Sequence, residues 1–147
     1  MPTIEVRTGE APDVQSFLEQ RIYEYNAAVT GYDDAESFHA LHRNVAGRIV
    51  AGVCGYTWGG CCHVGYLWVS DAERGQGLGG AMLDAVEHHA LQKKCPFVWL
   101  STHTFQAPGF YSRRGYVRIA TIDGYPKTHA SMIYVKQLQP MLNMAAT

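Results

Sequence analysis

The sequence predicts an α/β or α+β fold in which a mixed central sheet is flanked by helices. Three observations predict it. The chain has 147 residues and 47% apolar content, enough for one domain with a real core and short for two. Short strand-like runs alternate with two well-formed helical patterns and are divided by glycine and proline. One strand-like run feeds directly into "RGQGLGGAML" (Arg74 to Leu83), a glycine-rich turn that opens the strongest helix of the chain. No repeat, low-complexity tract or linker interrupts the run of elements, so residues 1–147 read as a single domain.

Ile4 and Val6 alternate with polar neighbours and predict a first strand. Pro12 suits a first helical turn, Val14, Phe17, Leu18, Ile22, Tyr25 and Val29 recur at helical spacing, and Gly31 suits the helix end. "SFHALHRN" from Ser37 and "RIVAGVCGYTW" from Arg48, joined through Ala46-Gly47, predict an antiparallel hairpin. After Gly59-Gly60, "HVGYLWV" from His63 is the strand that enters the glycine turn. In the helix that follows, Leu78, Met82, Ala85, Val86 and His89 or Ala90 share one face, with Asp84, Glu87, His88 and Gln92 on the other. Lys93-Lys94 complement its C-terminal dipole before Pro96. "FVWL" from Phe97 reads as a buried strand. Pro108 opens a short helix with Phe110 and Tyr111 that Gly115 closes, and "YVRIAT" and "SMIYVKQL" supply two last strands.

Composition excludes several function classes. The formal net charge is -1, with 12 basic and 13 acidic residues, so no broad field points to a nucleic acid or an anionic membrane as partner. "MPTIEVRTGE" carries no basic segment followed by an apolar stretch, and no apolar run approaches a membrane span, which predicts a cytoplasmic protein. Cys54, Cys61, Cys62 and Cys95 lack zinc-ligand spacing, and the vicinal pair in "CCH" is awkward for chelation, so reduced structural thiols and no metal are expected.

A chain that places four glycines in these ten residues needs its backbone bare there. At a helix start the first amides lack partners and carry the positive end of the dipole, so a strand, a glycine turn and a helix form an anion cradle. A Walker loop would need Lys and a hydroxyl after the last glycine, where Ala81-Met82 stand. Gly75, Gly77 and Gly80 satisfy the dinucleotide pattern G-x-G-x-x-G, but no Asp or Glu occurs between Glu87 and Asp123 to hold a ribose, and the turn follows an antiparallel run.

Arg74, Gly77 and Gly79 also spell R-x-x-G-x-G, and "LWVSDAERGQGLGGAMLDAVEHHA" together with "FYSRRGY" from Phe110 resembles the two signature motifs of the GNAT superfamily of N-acetyltransferases. The resemblance runs from about Val45 to Val135. It implies a mostly antiparallel sheet with splayed middle strands, and acetyl-CoA as co-substrate. The amides of Gly75, Gly77, Gly79 and Gly80 would hold the pyrophosphate, with Arg74, Gln76 and Leu78 around the turn. The backbone of Leu67, Trp68 and Val69 would face the pantetheine arm. Tyr111 matches the tyrosine that protonates the departing thiolate, a reaction suited to a phenol near ~10 acting on a thiolate near ~8.5. Where the family often has Asn seven residues earlier, this chain has Thr104.

The proton leaving the amine needs a destination, and "CCHVGYLWV" has no carboxylate. His63 is the candidate base on that strand, with an ordered water chain as the alternative. Acceptor contacts are expected from Tyr23, Tyr25 and Asn26, from Trp58, and from Tyr125 and His129; the same aromatics suit core packing or a homodimer. A small-molecule amine is the expected acceptor, with a protein or peptide amine and a non-catalytic acyl-CoA-binding domain as the alternatives.

Overall fold

The computed structural model describes residues 1–139, and the chain divides into two compact units between Asp33 and Asp34. The first unit contains α1 (Pro12–Thr30), with Pro12 in its first turn, and Gly31 closes it by donating its amide to the Ala27 carbonyl. Residues 1–10 form no strand, so Ile4 and Val6 correct the expectation of one there. Two apolar residues in a short run hold no β conformation without a ladder, and no strand pairs with them. α1 keeps the predicted apolar spacing but buries none of its residues.

The second unit is a six-stranded sheet in the order β1-β2-β3-β4-β6-β5. Its strands are β1 (Glu36–Arg43), β2 (Ile49–Trp58), β3 (Cys61–Val69), β4 (Phe97–His103), β5 (Val117–Asp123) and β6 (Ala130–Gln137). Every neighbouring pair is antiparallel except β3 and β4. The β1–β2 turn is fixed by Asn44, whose Oδ1 accepts from the amides of Ala46 and Arg48. β3 starts two residues before the expected His63, because Trp58↔Cys61 pairs directly across Gly59-Gly60.

α2 (Leu78–Gln92) crosses one face of the sheet and buries Met82, Leu83, Val86 and Ala90 against Ala51, Val53, Cys62, Val64, Val98 and Leu100. Leu83, rather than Ala85, completes its buried stripe, because Leu83 and Val86 are three apart and point at the same strands. α3 (Pro108–Arg113) is followed by Tyr116, which is 2% exposed. The Tyr116 hydroxyl donates to Glu87 Oε2 at 3.4 Å while Lys136 Nζ reaches Glu87 Oε1 at 2.5 Å, so a partly buried carboxylate ties α2 to β6. Alternation along β3 and β4 sends Cys62, Val64, Val98 and Leu100 into this core and His63 and Trp99 to the opposite face.

Candidate functional site

The parallel pair does not stay paired. β3 and β4 share the rungs Cys61↔Phe97, Cys62↔Val98 and His63↔Trp99, after which β3 pairs only with β2 and β4 only with β6. The cause lies two residues further along. Cys54↔Tyr66 and Gly55↔Val64 leave Gly65 as an extra residue on β3, and a bulge bends and twists its strand. Gly55 makes the bulge possible, since a β-carbon there would overlap the His63 carbonyl oxygen and crowd the Phe38 ring. The strands therefore open into a wedge whose walls, residues 64–69 and 100–103, have no ladder across the gap. Leu67 and Val69 pack on the core while Trp68 is exposed, and the backbone of this stretch has no ladder partner on the wedge side.

The glycine turn stands at the open end of the wedge. A 3₁₀ turn at Asp71–Glu73 leads into it. Arg74 folds back, donating Nε to the Val69 carbonyl at 3.2 Å and pairing with Asp71 at 3.0 Å, so its first task is to brace the loop. Gly75 and Gly77 both sit at φ +81°, where an L side chain is strained although a β-carbon would meet nothing within 4 Å. Gly79 and Gly80 are glycine for a different reason. A β-carbon on Gly79 would come within 3.2 Å of the Phe110 ring, and one on Gly80 within 2.8 Å of the Arg114 guanidinium, which also pairs with Asp84. α3 thus lies across the first turn of α2, a contact that sequence reasoning missed because Phe110 and Arg114 lie far along the chain. No side chain caps α2, and helix geometry leaves the amides of Leu78, Gly79 and Gly80 without an intrahelical acceptor. Gln76, exposed beside them, completes a turn suited to a diphosphate.

Tyr111 lies on the α2 side of the wedge. Its ring meets those of Phe110, Tyr116 and Tyr134 at 5.1, 6.0 and 6.4 Å. Burial raises its pKa, which keeps the phenol protonated. Among the described residues nothing hydrogen-bonds its hydroxyl. Thr104, at the position where the family often has Asn, spends its hydroxyl accepting from the Ala130 amide at 3.2 Å, tying the β4–α3 turn to β6.

His63 lies on the other side, at the last rung. Its ring is 3.9 Å from that of Trp99 and 5.1 Å from that of Tyr56, centroid to centroid. Burial lowers its pKa and the nearby polar backbone of Trp99 only partly offsets this, so the imidazole is neutral near pH 7. Nδ1 is buried without a hydrogen-bond partner.

Of the expected acceptor residues, the three in the second unit lie at two ends of the wedge. Tyr23, Tyr25 and Asn26 belong to α1 in the first unit. Trp58 ends β2 beside Cys61, at the closed end of the wedge. Tyr125 and His129 lie beyond the other end, where the Tyr125 ring meets His103 at 5.1 Å and His129 meets Phe105 at 4.9 Å. The length of β4 separates the two ends, roughly 20 Å at ~3.3 Å per residue. The four cysteines are unpaired thiols, and burial pushes Cys62 up to about 12, which makes it inert. Among the described residues no three His, Cys, Asp or Glu side chains gather as a metal site.

A mostly antiparallel sheet opened at its parallel pair, an uncapped helix start at the mouth and an uncommitted phenol beside it define an acyltransferase type of architecture. The chain belongs to the acetyltransferase (GNAT) family, whose model matches residues 5–116. It is 38% identical over 93 residues to a blasticidin-S acetyltransferase of Streptomyces morookaense, covering 63% of this chain and 68% of that one. Among solved structures, an acetyltransferase from Bacillus cereus superposes with a TM-score of 0.78 at 26% identity, over 92% of this chain and 98% of the other. An aminoglycoside 6'-N-acetyltransferase crystallised with coenzyme A shares the fold at a TM-score of 0.64 and 12% identity, over 71% and 74% of the chains.

Proposed function

We propose that this acetyltransferase moves an acetyl group from acetyl-CoA to the primary amine of a small molecule by direct transfer in a ternary complex. The observation that carries this reading is the wedge: unpaired backbone between β3 and β4, with orphan helix amides at its mouth. Bound acetyl-CoA would supply an activated thioester carbonyl. The amides of Gly75, Gly77, Leu78, Gly79 and Gly80 would hold its diphosphate, and the backbone of Leu67, Trp68 and Val69 would line the pantetheine arm. Tyr111 holds a proton on its hydroxyl, unshared with any described residue, for the sulfur that leaves. On the opposite face His63 is neutral and takes the amine's proton directly or through water. The 38% identity to a blasticidin-S acetyltransferase supports a small-molecule acceptor.

Ligand-dependent melting tests the donor site. Acetyl-CoA or CoA at a hundred times its dissociation constant adds about 2.7 kcal/mol to stability and raises Tm, whereas NAD and ATP leave it unchanged. Stabilisation by NAD alone would refute the reading. Steady thiol release with a panel of small amines then distinguishes transfer from binding.

A further inference from the structure

The wedge has a closed end as well as a mouth. If the diphosphate is held at the turn, the acyl group is the part of the donor that travels deepest, toward the rung His63↔Trp99 where the strands rejoin. On the α2 side that end is floored by Val64 and Leu100, 4% and 1% exposed, with no room to yield. On the opposite side it is capped by rings. Trp99 and His63 lie 3.9 Å apart between centroids, and Tyr56 backs His63 at 5.1 Å. A ring pair at van der Waals contact leaves no slot between its members for a methylene chain.

We infer that the Trp99–His63 stack is an acyl-length gate: it seals the closed end of the wedge so that a two-carbon acyl group is accepted and longer ones are excluded. This rests on the donor-site reading above and assigns Trp99 a role in choosing the donor, separate from any part in proton transfer. Trp99 is the member that sets the limit. It is half-buried, it stands on the strand that diverges from β3, and its truncation removes the largest ring at the apex.

Calorimetric titration of the purified protein with CoA, acetyl-CoA, butyryl-CoA and hexanoyl-CoA tests this without any acceptor. The wild type should bind butyryl-CoA at least roughly tenfold more weakly than acetyl-CoA, the scale on which a tight apolar pocket resists added methylenes. Trp99→Ala should bring butyryl-CoA to within about threefold of acetyl-CoA while leaving affinity for unacylated CoA unchanged, and Trp99→Phe should fall between. His63→Ala, which removes the other ring, should relax the limit in the same direction and carries the test if Trp99→Ala does not fold. Equal wild-type affinity for acetyl- and butyryl-CoA overturns the gate alone, as does a folded Trp99→Ala or His63→Ala that keeps the wild-type discrimination. Failure of CoA itself to bind the wild type overturns the donor site, and the gate with it.

Discussion

On the α2 face of the wedge, Leu83, Val86, Val98 and Leu100 are all at most 2% exposed and Tyr111 leans on the rings of Tyr116 and Tyr134. On the opposite face, His63 is held by Trp99 and by Tyr56, itself 41% exposed. One face is a close-packed core and the other an aromatic surface, yet burial acts on a titratable group in each. Because desolvation penalises whichever form is charged, it raises the Tyr111 pKa and lowers that of His63. The phenol keeps its proton and the imidazole stays empty, which are the states that a proton donor and a proton acceptor require. No carboxylate is needed to set either one.

The largest expected effect comes from the residue on which both faces depend. Gly55→Ala places a carbon on the His63 carbonyl oxygen, so the bulge at Gly65 must shift or the hairpin must part. Backbone is the obstacle, not a flexible side-chain tip, so the cost should be about 3 kcal/mol or more, beyond the usual range for overpacking. Denaturant unfolding measures it. A Gly55→Ala protein as stable as the wild type would show that the strands separate for another reason.

Tyr111→Phe comes next and touches the α2 face alone. It keeps the ring and its contacts with Phe110, Tyr116 and Tyr134 while removing the hydroxyl. Acetyl-CoA affinity should stay within about twofold and kcat should fall on the order of 10²-fold, the usual size of a general-acid contribution. Affinity and turnover measured on one preparation decide it. A fall in affinity with kcat preserved would make Tyr111 a binding contact, and no change in either would make it packing.

The two faces were not equally legible in the sequence. The mouth of the wedge was, because a glycine-rich turn between a strand and an amphipathic helix is local and each residue type has a local reason. The short helix that carries Tyr111 was legible through "FYSRRGY", with Pro108 and Gly115 marking its ends. The register was not. That Gly65 is extra, that Gly55 faces a carbonyl and that Gly79 and Gly80 accommodate Phe110 and Arg114 all follow from pairing between segments distant in sequence. "FVWL" alone places Trp99 on a buried strand, and only its rung opposite His63 puts it where the strands part. Ile4 and Val6 show the converse error: a local alternation that nothing pairs with forms no strand.

His63→Gln is expected to have the smallest effect on turnover and the most specific signature. Water reaches an amine more easily than it replaces a buried phenol, so kcat near pH 7.5 should fall only about tenfold, below the usual range for a general base. The pH dependence should change in kind. The wild-type profile of kcat/KM should carry an acidic limb below the ordinary imidazole value of ~6.5, because burial lowers the His63 pKa, and the variant should lose that limb. Stability gives an independent readout with the same sign. Between the lowered folded value and ~6.5 the unfolded chain binds more protons at this position than the folded one, so stability rises with pH across that window and falls as the medium is acidified through it. Glutamine binds no proton in either state, so urea unfolding of His63→Gln should show less loss from pH 7 to pH 5 than the wild type. A variant that keeps both the acidic limb and the wild-type pH dependence of stability would remove His63 from proton transfer and leave water as the acceptor.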